Sequence, residues 1–196
     1  SYEALPDCIE CINVKDQEYF SVGRPNYDTN WTYMVLMRAA LPKILPDEHV
    51  VLSLDNDTIV NGDISAIWDT DISDAYFAAV PETRNNHRPG QKYHNFGVVL
   101  FNLDYLRSSR MCDKVINDLN INKYPYNEQD CMNNMCAEKI VPIPSMYNES
   151  ITTEPSEHPL ISHYCGPYAR KIEYMQQSMK YKDKSWDDLL KGMVRK

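Results

Sequence analysis

The sequence predicts an α/β fold with a mostly parallel central sheet. Three observations point there. Val50–Leu54, Val-Val-Leu-Ser-Leu, is an almost wholly apolar run with the length and character of a strand covered on both faces. Tyr76–Val80 and Gly97–Leu103 have the same character. Stretches with helical spacing lie before and after these runs, as in chains that build layered α/β domains. Val50–Leu54 is expected to be the central, fully buried strand. It runs straight into Asp55-Asn56-Asp57. In open α/β sheets ligands bind beyond the carboxyl ends of the strands. In extended chain Asp55 and Asp57 project to the same side. Two hard oxygen donors at such an edge suit Mg²⁺ or Mn²⁺ bridging to a diphosphate. Acidic pairs at strand ends are common, so this one takes its weight from the residues C-terminal to it.

In chain order, Cys8–Val14 alternates roughly and reads as a short strand. No second Cys-x-x-Cys answers Cys8-x-x-Cys11, so two strand thiols are expected there rather than a zinc half-site. Gly23–Asn30 is a polar loop. Trp31–Leu41 has helical spacing at Tyr33, Met34, Met37 and Leu41, and Pro42 and Pro46 close it. Asn61-Gly62 is a turn signal, followed by an amphipathic helical turn through Ile64, Ile67 and Trp68. Pro81–Tyr93 is a long polar loop. Asp104–Asn120 and Asn127–Cys136 read as helices, the second with Glu128 and Asp130 near its start, where carboxylates are favoured. Ile140–Ile143 and Leu160–His163 are short strands.

At 196 residues, 43% of them hydrophobic, the chain is long enough for one domain with a real core. A formal net charge of −8 argues against a nucleic-acid partner. No stretch approaches the apolar length of a transmembrane helix, and the first residues have neither the basic start nor the apolar core of a signal peptide. Six scattered Cys fit reduced thiols in a cytoplasmic protein. The end of the chain differs in character. From Arg170 to Lys196 there are eight Lys/Arg against four Asp/Glu, interleaved with aromatics such as Tyr174, Tyr181 and Trp186. That composition suits peripheral contact with the inner face of a membrane. It suits equally a C-terminal helix that packs on the domain.

Asp55-Asn-Asp57-Thr-Ile-Val-Asn-Gly62-Asp63-Ile-Ser-Ala-Ile-Trp68-Asp resembles the Asp-x-Asp block of glycosyltransferase family 8, whose members include bacterial lipopolysaccharide glucosyl- and galactosyltransferases and whose relatives include glycogenin. Further blocks agree in the family's order: the Arg38 helix, Asn95-Phe-Gly97, Glu128-Gln129-Asp130, Pro144-Ser-Met-Tyr147-Asn148 and His163-Tyr-Cys-Gly166. The resemblance implies a GT-A-type fold over residues 1–168, with residues 169–196 as a basic tail. It implies retaining, Mn²⁺-dependent (or Mg²⁺-dependent) transfer of a hexose from a UDP-sugar to a saccharide or glycolipid acceptor. Asp55, Asp57 and His163 are then the metal ligands. Gln129 stands beside the reacting carbon, and its amide oxygen can meet positive charge on the sugar. Asp130 binds sugar hydroxyls. Arg38, Asn56, Asn95, Gly166 and Arg170 belong to the donor site.

The sequence departs from the family pattern in places. Glu128 stands for Asp. Phe96 replaces a small residue and is expected to crowd the donor pocket. Ala169 stands where the family has Lys, leaving Arg170 or Lys171 to supply the cation. The usual N-terminal strands that bind the nucleotide base are expected to be absent, which leaves room for a homodimer. That shortening opens two other readings: a non-catalytic binding or scaffold relative, and a metal-dependent nucleotide-sugar hydrolase.

Overall fold

A computed structural model describes residues 8–29, 31–84 and 92–166. The proposed basic tail and Arg170 lie outside the described residues. Four strands form one sheet in the order β1-β4-β3-β5: β1 (Val50–Leu54), β3 (Phe77–Pro81), β4 (His94–Asn102) and β5 (Ile140–Pro142). A second ribbon pairs β2 (Thr58–Val60) with β6 (Ile161–His163). The sheet is mixed. β3 and β5 are parallel, and β4 is antiparallel to both β1 and β3. Three of the four strands therefore share one direction, and β4 runs against them. The return from β3 to β4 needs only a loop, because antiparallel neighbours require no crossover helix.

Side chains alternate between two cores. Phe77 and Ala79 of β3, with Val99 and Phe101 of β4, face one core. Leu36, Leu103, Leu119 and Met132 close it from the helical side. Ala78, Val80, Val98 and Leu100 face the other, with Ile67, Ile143, Tyr147 and Ile161. The helices are α1 (Leu41–Ile44), α2 (Leu103–Ser108), α3 (Met111–Ile121) and α4 (Asn127–Cys136).

Several expectations are corrected. β1 is neither central nor fully buried. Among the described residues it pairs with β4 alone, and Val50 and Leu54 are exposed. Val51 packs on one core and Leu52 on the other, so both faces are covered, while among the described residues no strand pairs along its second edge. An apolar run reports cover on its faces and says nothing of neighbours along its edges. Cys8–Val14 forms no strand; Ile9 and Ile12 are exposed, and Cys8 and Cys11 are exposed free thiols. Most of Trp31–Leu41 is a 3₁₀ helix, Tyr33–Ala40, that leads into α1. Asp104–Asn120 is two helices, broken at Arg110, whose φ of 58° is left-handed. The Ser109 hydroxyl donates to the Tyr105 carbonyl at 2.6 Å, the kind of local bond by which serine competes with the helix ladder.

One irregularity positions the site. β3 and β4 pair at Ala79–Val99 and next at Val80–Asn95. Phe96, Gly97 and Val98 are therefore out of register with β3, as in a bulge, which re-aims side chains and frees backbone groups from the ladder. Phe96 and Val98 sit an even number of residues apart yet face opposite cores.

Candidate active site

The chain leaves β1 at Leu54, and the Asp55 N–H donates to the Gly97 carbonyl at 2.7 Å. A turn comes next, closed by the Thr58 N–H and hydroxyl, both donating to the Asp55 carbonyl. Asp55 and Asp57 thus meet through a turn and not through extended chain. The β2–β6 ribbon supplies the third group. Thr58 pairs with His163, and the Tyr164 N–H donates to the Asp57 carbonyl at 2.9 Å. His163 Nε2 lies 3.3 Å from Asp57 Oδ1 and 3.6 Å from Asp55 Oδ2. One donor atom from each of the three lies within 4.8 Å of the others. His163 is 3% exposed, and the two carboxylates are partly open to solvent. Two carboxylate oxygens and one imidazole nitrogen, with open positions around them, fit a divalent cation such as Mn²⁺ or Mg²⁺.

Arg38 reaches this cluster from the 3₁₀ helix. Its guanidinium donates to the Asp55 carboxylate and to the Phe96 carbonyl, and lies 3.7 Å from Glu128. Glu128 is buried in the first turn of α4. Burial pushes its carboxyl up to about 7; the Arg38 charge pulls the other way, and Asp55 and Asp130 add to the rise.

Gln129 is the next residue on α4. Its Oε1 accepts from the Phe96 N–H at 2.9 Å, and its Nε2 donates to the Tyr93 hydroxyl at 2.9 Å. The Tyr93 hydroxyl donates to Asp130 Oδ1 at 2.6 Å, and the Tyr126 N–H donates to Asp130 Oδ2. Burial, with Asp130 next, holds the Tyr93 hydroxyl protonated. Asp130 is 1% exposed and anchors this arrangement.

The structure brings together Arg38, Asp55, Asp57, Asn95, Gln129, Asp130 and His163 around the start of β4. Asn56, on the turn between the two carboxylates, is exposed. Gly166 has a φ of 105°, a conformation that favours glycine, just past the end of β6. Phe96 does not crowd the site. It is fully buried, with its ring edge-on to Phe77 at 5.4 Å, because the bulge turns it into the helical core. Sequence reasoning assigned no site role to Glu82, Tyr93 or Asn148. The first two lie in the polar loop after β3. Asn148 ends the Pro144–Asn148 block, fifteen residues before His163, and no local periodicity links the two.

Gly97 admits the imidazole. A Cβ there would lie 2.0 Å from His163 Cε1. Gly97→Ala is expected to displace the His163 ring and to lower stability by about 1–3 kcal/mol through overpacking. Urea unfolding and the ring's NMR signals check this; unmoved signals overturn it. Glu128 predicts a pH dependence. Its folded value of about 7 lies above its ordinary 4.5. The stability its protonated form contributes is complete below 4.5 and is lost as pH rises through 7, amounting to roughly 3 kcal/mol at one pKa unit per 1.36 kcal/mol. Unfolding measured from pH 4.5 to 8 is expected to show that loss, and Glu128→Gln is expected to flatten it. A slope unchanged by the substitution places the proton elsewhere.

Comparison with known proteins fits this geometry. A Haemophilus influenzae protein named as a glycosyltransferase is 28% identical over 152 residues, covering 66% of this chain and 46% of its own. General stress protein A of Bacillus subtilis is 25% identical over 190 residues, covering 81% of this chain and 65% of its own. The chain thus spans less than two thirds of either relative. The galactosyltransferase LgtC, solved with donor and acceptor sugar analogues, superposes with a TM-score of 0.58 at 24% identity, over 74% of this chain and 63% of that one. That likeness shows a shared GT-A fold. The model of glycosyl transferase family 8 matches residues 6–169, which takes in every strand among the described residues and the whole Asp55–Asp57–His163 cluster, and the chain belongs to that family.

Proposed function

We propose that this chain carries the catalytic centre of a retaining glycosyltransferase that moves a hexose, glucose or galactose, from a UDP-sugar to a saccharide or glycolipid acceptor. The observation that carries the reading is the convergence of Asp55, Asp57 and His163 beside Gln129, all referred to one irregular stretch of β4. Asp55, Asp57 and His163 would hold Mn²⁺, whose taste for oxygen with some nitrogen matches this donor set better than that of Mg²⁺. Such an ion supplies a Lewis acid for the negative charge of a departing diphosphate. Arg38, paired with Asp55, adds fixed positive charge on the same side.

Gln129 takes the other half of the charge. The sugar becomes cationic as its bond to phosphate breaks. An amide oxygen has two lone pairs, and the Phe96 N–H occupies one of those on Oε1. The second serves a ring that develops positive charge, and a neutral amide does so without collapsing to a stable adduct. Glu128 and Asp130 flank it as carboxylates for sugar hydroxyls or as fixed neighbours of Arg38 and Tyr93. A glycolipid acceptor gives the basic segment 169–196 a purpose: cations near an anionic surface contribute about 1 kcal/mol each.

An interaction that strengthens only in the transition state lowers the barrier without tightening the ground state. Gln129→Ala is therefore expected to lower kcat with little change in donor affinity. Asp57→Ala is expected to weaken metal-dependent donor binding and abolish turnover together. Calorimetry with UDP-sugars, with and without Mn²⁺, joined to turnover assays, tests both. Lost donor affinity with unchanged kcat for Gln129→Ala would make it a binding residue. Donor bound and hydrolysed without transfer supports the hydrolase, and donor bound but unreacted supports the non-catalytic relative. Sedimentation with anionic vesicles is expected to fall with added salt and on removal of Ser178–Lys196. Equal binding to neutral vesicles would refute the electrostatic account.

A further inference from the structure

His163 has two ring nitrogens, and only an unprotonated Nε2 can join Asp55 and Asp57 around a cation. We infer that Asn148 is a positioning residue: with Asn95 and Glu82 it holds His163 as the Nδ1–H tautomer and keeps the Nε2 lone pair turned to the two carboxylates. The inference rests on reading that cluster as a metal site.

The direction of each hydrogen bond fixes the next. The Gly97 backbone N–H can only donate, and it lies 2.9 Å from one side-chain atom of Asn95. That atom must be Oδ1. The Asn95 amide nitrogen is then the atom facing Glu82, and it donates to Oε1 at 2.8 Å. A carboxylate accepts, so both ends of the Asn95 amide agree. Asn95 Oδ1 also receives Asn148, at 2.9 Å, so the Asn148 atom there must be its nitrogen. The Asn148 oxygen is left facing His163 Nδ1 at 3.0 Å. An amide oxygen only accepts, so Nδ1 must carry the proton. In the neutral ring the lone pair is then on Nε2, which faces Asp57 and Asp55 at 3.3 and 3.6 Å.

Burial makes this order strict. Asn148 is 0% exposed, Asn95 4% and His163 3%. Water cannot stand in for a flipped amide there, and one reversed group would set donor against donor or acceptor against acceptor in a dry site. Partners of this kind fix the tautomer and ring orientation of metal-binding histidines, and their loss typically costs about 10–100-fold in metal affinity. The series of bonds begins at Gly97, whose missing Cβ also makes room for the imidazole. One backbone position thus sets both where the ring sits and which of its nitrogens is protonated.

The test uses the intact metal-free chain. Long-range ¹H–¹⁵N NMR of His163, followed upward in pH until one ring nitrogen is bare, is expected to show the proton kept on Nδ1 and lost from Nε2. Asn148→Leu keeps the branching at Cγ and removes the bonds. It is expected to bring Nε2 protonation into the spectrum and to weaken Mn²⁺ binding by calorimetry about 10–100-fold. Asn148→Asp keeps an acceptor for Nδ1 but sets a carboxylate against Asn95 Oδ1, and is expected to keep the Nδ1–H tautomer while restoring only part of the affinity. An Nε2–H tautomer in the unaltered protein overturns the inference, as does Mn²⁺ binding by Asn148→Leu equal to that of the parent. If Asn148→Leu fails to fold, the tautomer of the unaltered chain decides alone. An unaltered chain that holds the Nδ1–H tautomer but binds no Mn²⁺ retains the positioning result and fails the metal reading, so the two failures are distinct.

Discussion

The active-site end of the molecule depends on one break in a hydrogen-bond ladder. Where β4 slips against β3, the backbone of Phe96 leaves the β3 ladder, while the β1 side of β4 keeps its register. A buried peptide group still needs partners. The Phe96 N–H finds Gln129, its carbonyl finds Arg38, and the Gly97 carbonyl finds the Asp55 N–H. The Gly97 N–H finds Asn95. The two Phe96 groups are those the slip frees from β3, and they hold Gln129 and Arg38; the Gly97 carbonyl continues the β1–β4 register to Asp55. Remove the slip, and the Phe96 groups return to the β3 ladder and Gln129 and Arg38 lose their shared reference.

Around that point, polarity is passed along in two chains of the same logic. One runs from Asp130 through Tyr93 to Gln129 and the Phe96 N–H. The other runs from Glu82 through Asn95 and Asn148 to His163. Each begins at a carboxylate, which accepts, and meets a backbone N–H, which donates. Everything between has its orientation forced, because a reversed amide would leave buried groups unpaired. Apolar packing alone cannot do this, since it fixes position and not the placement of a proton.

The charges beside these chains serve a different end. Arg38, Asp55 and Glu128 form a cluster in which both Arg38 and Glu128 are largely withdrawn from water. Such clusters seldom add net stability, because desolvation offsets the Coulomb gain. Their worth here lies in the field they present. Arg38 holds positive charge against an edge where two carboxylates would otherwise repel each other, and the buried Glu128 lies 3.7 Å behind it.

Local features of the chain were enough for much of the architecture. The apolar runs that became β1, β3 and β4 marked strands because a strand covered on both faces is apolar at nearly every position. The start of α4 was legible from its carboxylates. Asp55, Asp57, Gln129 and His163 stood out because their blocks are distinctive in type and order. The place of β1 at the end of the described sheet, the break at Arg110 and the absence of a strand at Cys8–Val14 were not legible, because strand pairing and helix continuity depend on distant partners. The same holds for Asn148. Its partners are His163 fifteen residues away and Asn95 fifty-three residues away. The sequence determines which groups are present; only the folded chain decides which atom of each amide faces which neighbour, because hydrogen-bond direction is settled by contacts the linear order does not contain.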